Sequence, residues 1–377
     1  MRQLVVRGAS VWRGSAWDVG DLVCSDGLLA EVAGADATVF DADGLLAVPG
    51  FVDLQCNGAL GIDLAGEPER LWELSAQLPR WGVTAWLPTI VTTPLGVVDR
   101  ALVTLAAGPP PGWVGAVPMG LHLEGPFLSP CRKGAHPEAL LRTPSLDAID
   151  GWSRAEGVAL VTLAPELEGA HPVIEELVAR GVVVSIGHSD ASAAEASSAV
   201  DSGATWVTHL FNAMSPLHHR EPGVVGAALS DERLRVGMIA DGIHVHPSVV
   251  KLAQRALGER LVLVTDAVAA LGMEHGEQAL GRATVHVGAD GVRLPDGTLA
   301  GSNLAMDQAV RNLIAFSGCQ REAALHAAST VPAAVLGDEQ RGTLAPGSRA
   351  DVALLTQDLE VAATIVGGEV VHGANRR

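Results

Sequence analysis

The chain has 377 residues, 48% of them hydrophobic, and a formal net charge of −18. That length supports a large core, and that charge repels a phosphate backbone, which excludes nucleic acid as a partner. A small anionic substrate stays open, because local groups decide its binding.

The four cysteines, Cys24, Cys56, Cys131 and Cys319, form no CxxC pair and suit a reducing cytoplasm. The first residues, Met-Arg-Gln-Leu-Val-Val-Arg, lack the apolar stretch of a signal peptide. The longest uncharged run, Ala101 to Leu121, contains Pro109-Pro110-Pro111, so no spanning helix and no membrane partner is expected.

Residues 1–47 read as short strands, Leu4–Val6, Val19–Cys24, Leu28–Val32 and Thr38–Asp41, punctuated by Gly8, Asp26-Gly27 and Asp43-Gly44. Residues 342–377 have the same texture, with strands at Val352–Leu355, Val361–Val366 and Val370-Val371. Neither piece buries a sheet alone; together they are expected to form one small β-sandwich domain with a barrel inserted between them.

Residues 48–341 alternate strands and helices. A first strand, about Ala47–Leu54, ends at Gln55-Cys56-Asn57-Gly58. Helices are expected at about Glu67–Trp81, Val97–Ala106, Ser145–Ala155, Pro172–Arg180 and Ala191–Ser202, with strands between them. After Asp266 the pattern breaks into a hairpin, Ala283–Val287 and Gly291–Leu294, and helices near Ala305–Ser317 and Glu322–Ala328 follow. The alternation implies parallel strands with crossover helices, an α/β fold of the (β/α)8 kind.

Four apolar runs end in a polar residue. Val114 to Leu123 leads to Glu124, Val182 to Gly187 leads to His188, Thr205 to Thr208 leads to His209, and Leu261 to Thr265 leads to Asp266. His122 and Glu124 are two apart and share a strand face. One carboxylate, two imidazoles and a second carboxylate at successive strand ends suggest a metal-assisted hydrolase. Ser189 offers no nucleophile elbow, since Gly187-His-Ser-Asp-Ala191 is not Gly-x-Ser-x-Gly.

Seven motifs, taken in order, make the reading specific. Pro49-Gly-Phe-Val-Asp53 resembles the first barrel strand of the amidohydrolase superfamily. His122-Leu-Glu-Gly-Pro-Phe127, Gly187-His-Ser189, Thr208-His-Leu-Phe-Asn-Ala-Met214, Ala240-Asp-Gly-Ile-His244, Val264-Thr-Asp266 and Leu299-Ala-Gly-Ser302 resemble the N-acetylglucosamine-6-phosphate deacetylase family. One departure stands out: the superfamily's His-x-His after the first strand is here Gln55-Cys56-Asn57. Amides are poor zinc ligands beside imidazole, so the position those histidines serve is expected to be empty.

The resemblance implies hydrolysis of N-acetylglucosamine 6-phosphate in the cytoplasm, with one divalent metal ion per subunit held by Glu124, His188 and His209. Zinc is the first expectation for that set, and iron, cobalt and manganese are also able to use it. Asp266 is expected to shuttle the proton, and His244, behind Asp241, to contact the sugar and polarise the amide carbonyl. Ala135 and His136 are expected near the acyl group, Asn212 and Ala213 at the phosphate, and Leu299, Ala300 and Gly301 along the sugar. Arg220 matches the family's phosphate arginine, which commonly reaches into the neighbouring subunit of a homodimer. Two rivals stay open at this point: another amidohydrolase, such as a deaminase or cyclic-amide hydrolase, or an inactive sugar-phosphate-binding protein.

Overall fold

The computed structural model describes residues 3–280 and 283–374. The two ends of the chain interleave in one eight-stranded sheet. Leu46–Pro49, from the N-terminal piece, pairs antiparallel with Val352–Leu355, from the C-terminal piece. Gln3–Trp12 uses its first half to pair with Thr38–Asp41 and its second half to pair with Leu46–Pro49. A separate apolar cluster, including Val6, Val11, Phe40, Val352 and Ile365, fills this unit. Trp12 donates its indole N–H to His326 at 3.0 Å and Trp17 donates to Glu322 at 2.6 Å, tying the sheet to a barrel helix.

The expected first barrel strand, about Ala47–Leu54, is two strands. Leu46–Pro49 belongs to the terminal sheet, and Phe51–Cys56 begins the barrel. The barrel continues in parallel through Val83–Val91, Leu121–Glu124, Val158–Leu163, Val183–Ile186, Trp206–Val207, Arg235–Met238 and Leu261–Leu263. The ring closes at the strand ends, where Asp266 N–H donates to the Gln55 carbonyl at 2.8 Å and Cys56 bridges to Ala267. Strands of a parallel barrel are covered on both faces, which is why these runs read as continuously apolar.

Most expected helices are present with shifted ends, at Leu95–Ala107, Ala170–Ala179, Ala193–Asp201, Met306–Ser317 and Arg321–Ala328. Ala193–Asp201 starts on a reciprocal cap between Ser192 and Glu195. Two expected helices are not formed as written. Glu67–Trp81 breaks into short turns around Leu71–Ser75, with Pro68 and Pro79 each opening a 3-10 turn. Ser145–Ala155 holds only the 3-10 turn Leu146–Ile149, because Asp150-Gly151 follows with glycine at φ +76°. Gly223–Ser230, Pro247–Leu257 and Thr330–Val335 are helices beyond those expected from the sequence. After the eighth strand, Gly276–Leu280, Ala283–Gly288 and Gly291–Arg293 form a three-stranded sheet that contains the expected hairpin.

Three backbone positions at the strand ends are in the left-handed region: His188 at φ +48°, His209 at +28° and Asp266 at +47°. Each costs on the order of 1–3 kcal/mol, and such strain gathers where side-chain direction matters more than local comfort. Gly187 has a different reason for its identity. A Cβ there would meet Thr162 Cγ2 at 2.6 Å and Thr208 Cβ at 2.9 Å, so the three strands pack only around a hydrogen. Gly187→Ala is expected to cost about 1–3 kcal/mol by overpacking. Urea unfolding measures it; an unchanged midpoint would mean that the strands part freely here.

Candidate active site

Glu124, His188 and His209 converge at the C-terminal end of the barrel, with one ligand atom from each lying within 4.8 Å of the others. All three are buried. His188 Nε2 lies 3.2 Å and His209 Nε2 3.0 Å from Glu124 Oε1, and the two nitrogens are 3.1 Å apart. His188 Nδ1 lies 2.9 Å from the Arg132 carbonyl. A carbonyl only accepts, so Nδ1 carries the proton and Nε2 turns its lone pair inward. Two imidazole nitrogens that close need a proton or a cation between them. The donor set fits a divalent ion with an open coordination position.

Burial works against ionisation of Glu124, but the imidazoles of His188 and His209 beside it outweigh that and hold the carboxyl well below the usual range. Asp266 goes the other way: burial, and then the charge of Glu124, push it up to about 6. His136 also faces Glu124. Its Nδ1 accepts the Thr92 backbone N–H at 3.3 Å, so its proton sits on Nε2, 3.8 Å from Glu124 Oε2. Burial, and then His188, lower its pKa to about 3, which keeps the ring neutral.

His244 is oriented from behind. Its Nδ1 lies 2.6 Å from Asp241 Oδ2, and Asp241 Oδ1 accepts the backbone N–H groups of Ile243 and His244, each at 2.8 Å. Burial disfavours the Asp241 carboxylate, yet the bond to His244 prevails and lowers its pKa. The ring is thereby fixed with Nε2 as the free nitrogen. His246 does something else: its side chain caps the helix Pro247–Leu257 by accepting Ser248 N–H.

A cavity of about 1240 Å³ opens over these groups. It is lined by the three candidate ligands, by Asp266 and His244, and by Ala135 and His136. Asn212 and Ala213 line another part of its wall, and Leu299, Ala300 and Gly301 arrive from beyond the three-stranded sheet. Asp241 stands behind His244, on a smaller cleft. Arg220 is the exception among the expected residues. It is exposed, its guanidinium lies 2.7 Å from His219 Nε2, and it does not line this cavity in its own chain. Cys131 is exposed at the cavity wall, while Cys24 and Cys56 are buried.

Sequence reasoning treated Gln55 and Asn57 only as missing ligands. The structure gives them partners: Gln55 Nε2 donates to Glu124 Oε1 at 3.0 Å and to Asp266 Oδ1 at 3.1 Å, and Asn57 Nδ2 donates to Asp266 Oδ1 at 2.8 Å. Their spacing of two, which puts both on one strand face, was the available signal. Asp53 and Thr265 were also passed over. Asp53 accepts Thr265 N–H and Oγ1–H, at 3.2 and 2.5 Å, and so locks the first strand to the eighth beneath Asp266.

A strand-end carboxylate, two imidazoles and a buried aspartate in a parallel barrel define a metal-dependent hydrolase of the amidohydrolase type. A profile of the amidohydrolase family matches residues 46–371, and the chain belongs to that family. Within it, the chain groups with the N-acetylglucosamine-6-phosphate deacetylases. It is 42% identical to that enzyme of Bos taurus, over 97% of this chain and 93% of the other. It is 38% identical to the N-acetylgalactosamine-6-phosphate deacetylase of Escherichia coli O157:H7, over 97% and 98%. An aspartate-to-alanine variant of the Mycobacterium smegmatis N-acetyl-D-glucosamine-6-phosphate deacetylase, solved with N-acetyl-D-glucosamine-6-phosphate, superposes with a TM-score of 0.87 at 34% identity, over 98% and 100%.

If the three ligands hold an ion, its removal leaves His188 and His209 facing each other inside the barrel. Chelation should lower the thermal midpoint and a divalent ion should restore it, by about 4 kcal/mol at a thousandfold excess over Kd. A midpoint indifferent to chelator and metal would remove the ion from this site.

Proposed function

We propose that the chain hydrolyses N-acetyl-D-glucosamine 6-phosphate to D-glucosamine 6-phosphate and acetate, in amino-sugar catabolism. The convergence of Glu124, His188, His209 and Asp266 at one barrel mouth, in a chain so similar to deacetylases, carries the reading. Glu124, His188 and His209 would hold one divalent ion, with zinc the first choice for such a donor set. An ion in that position lowers the pKa of water and polarises a carbonyl.

The chain's own groups do the rest. Asp266 takes the proton of the attacking water and delivers it to the leaving nitrogen. His244, with Nδ1–H on the Asp241 carboxylate, turns Nε2 to the carbonyl oxygen, and in its imidazolium form donates to it as charge develops there. Neutral His136 presents Nε2–H on the acyl side. The main-chain amides of Asn212 and Ala213 receive the phosphate, and the Leu299–Gly301 backbone borders the sugar. No helix among the described residues is long and apolar enough to cross a membrane; our reading is a cytoplasmic homodimer.

Charge supports the dimer. The cationic side chains on the cavity wall are already committed, Arg100 to Glu69 at 2.6 Å and Arg132 to Asp190 at 2.7 Å. A phosphate dianion wants a guanidinium that no carboxylate holds, and exposed Arg220, whose guanidinium meets His219, suits delivery to a neighbouring subunit.

Acetate release from N-acetylglucosamine 6-phosphate, N-acetylgalactosamine 6-phosphate and unphosphorylated N-acetylglucosamine tests the reading. The first is expected to be preferred over the unphosphorylated sugar by orders of magnitude, and Arg220→Ala to lose most of that preference. Equal use of phosphorylated and free sugar would reject the phosphate assignment. A preference for the galacto epimer would move the reading to the activity named for the Escherichia coli relative. Ammonia in place of acetate would favour a deaminase.

Asp266→Asn keeps the shape but cannot accept a proton. Turnover should fall at least about 10²–10⁴-fold while metal is retained. Asp266 has to be ionised to act as base, so kcat/KM should drop on the acid side, at pH 6 or below, because a bound cation pulls a carboxyl lower than the value of about 6. A variant within about threefold of wild type would exclude Asp266 from the mechanism.

A further inference from the structure

Gln55 and Asn57 are 1% and 4% exposed, so their amides lie where unpaired polar atoms are costly. Three of the hydrogen bonds they donate go to the two carboxylates of the site. Asp266 Oδ1 receives two of them, at 3.1 and 2.8 Å, while Asp266 Oδ2 has no hydrogen bond among the described residues. Gln55 also donates to Glu124 Oε1 at 3.0 Å, so one amide group spans both acids. The backbone repeats the clamp: Asp266 N–H donates to Gln55 O at 2.8 Å and Asn57 N–H to Ala267 O at 2.7 Å. Asn57 leaves its own Oδ1 buried and without a partner. An unpaired carbonyl is tolerated so that the N–H can face Asp266.

We propose that Gln55 and Asn57 are positioning residues for the hydrolysis: the pair anchors Asp266 by Oδ1, leaves Oδ2 as the oxygen that exchanges the proton, and holds Glu124 at a set distance from it. The assignment rests on the hydrolytic reading above. The chemistry suits neutral donors. A lysine or arginine here would neutralise the base, and an apolar residue would leave two buried carboxylates facing each other without a donor. An amide N–H stabilises both anions and leaves each charge available. Oδ2 takes a proton from water and passes it to the leaving amine, and neither amide gains or loses one.

The two residues differ in reach, and that difference is the test. Asn57 touches Asp266 only; Gln55 touches Asp266 and the candidate ligand Glu124. The full-length protein is compared with Asn57→Ala, Asn57→Asp, Asn57→Ser and Gln55→Leu. The readouts are kcat and KM for N-acetylglucosamine 6-phosphate, and zinc affinity of the stripped protein by competition with a chromophoric chelator. Asn57→Ala should lower kcat about 10–100-fold, the usual effect of losing such an outer partner, with KM and zinc affinity within about threefold. Asn57→Ser, which retains a donor, should recover part of the loss. Asn57→Asp, the closest in shape, should be worse than alanine because it turns an acceptor toward Asp266. Gln55→Leu should lower kcat and weaken zinc binding by about tenfold or more. A role in packing alone gives the opposite order, with Asn57→Asp nearest to wild type, and that order would overturn the proposal. Unchanged zinc affinity in Gln55→Leu would overturn its Glu124 half. If the wild type does not turn over the sugar phosphate, the hydrolytic reading fails, and the zinc measurement still decides the contact with Glu124.

Discussion

Two buried carboxylates at one barrel mouth are the constraint around which the rest is arranged. Glu124 and Asp266 are both enclosed, and each charge raises the cost of the other. The structure answers with polar groups from every side. His188 and His209 approach Glu124, Asn57 approaches Asp266, and Gln55 lies between the two acids. The pKa directions then diverge, with Glu124 held low and Asp266 raised. Two acids of one residue class family thus acquire different tasks, one suited to staying ionised as a ligand and one able to gain and release a proton.

Holding those groups in place requires polar order below them, where a barrel usually has only apolar layers. His122 lies on the face of Glu124, one step deeper, and burial lowers its pKa to about 4. Its Nδ1–H donates to the Leu54 carbonyl at 3.1 Å, and its Nε2 accepts from Thr162 Oγ1 at 2.7 Å. Thr162 in turn meets Thr208 at 2.8 Å, and Thr208 meets Ser185 at 2.5 Å. With His122 neutral, the hydroxyls line up in one direction, from Ser185 through the threonines to the ring. This chain crosses the strands that carry Glu124, His188 and His209. A fully paired network of this kind specifies one arrangement of its strands, where methyl groups would accept several. The left-handed backbone at His188, His209 and Asp266 is then strain held by a framework that permits little else.

The strand ends were legible because each apolar run stops at a single polar residue, and that residue has to face the barrel mouth. The terminal sheet was legible from its short strands and turn residues, which have no helical period. Legibility failed where local pattern and tertiary context part. Ser145–Ala155 has helix-compatible spacing but yields one 3-10 turn before Asp150-Gly151. The helix Gly223–Ser230 is so rich in glycine and apolar residues that no amphipathic stripe marks it, although it is buried along most of its length. Pro247–Leu257 did carry its signal, a proline in the first turn after a capping residue, and was passed over. Of Gln55 and Asn57 the sequence showed only the shared face, not the role, because that depends on contacts with residues 69, 209 and 211 positions away.

The same distinction explains why the phosphate end of the proposed substrate is the least determined part of the chain. The amide end is enclosed by strand termini, whose positions follow from barrel closure. The phosphate end depends on loops, and the loop with Leu217, His218, His219 and Arg220 is exposed. Its apolar member Leu217 is 54% exposed beside three basic side chains. In a chain with net charge −18, a cluster of two imidazoles and a guanidinium is a local site that suits an anion. On the proposed reading that anion belongs to a substrate bound next door. Chemistry would then be specified by one barrel, where geometry is rigid, and recognition of the phosphate by two, where association supplies the charge that a single strongly acidic chain keeps paired.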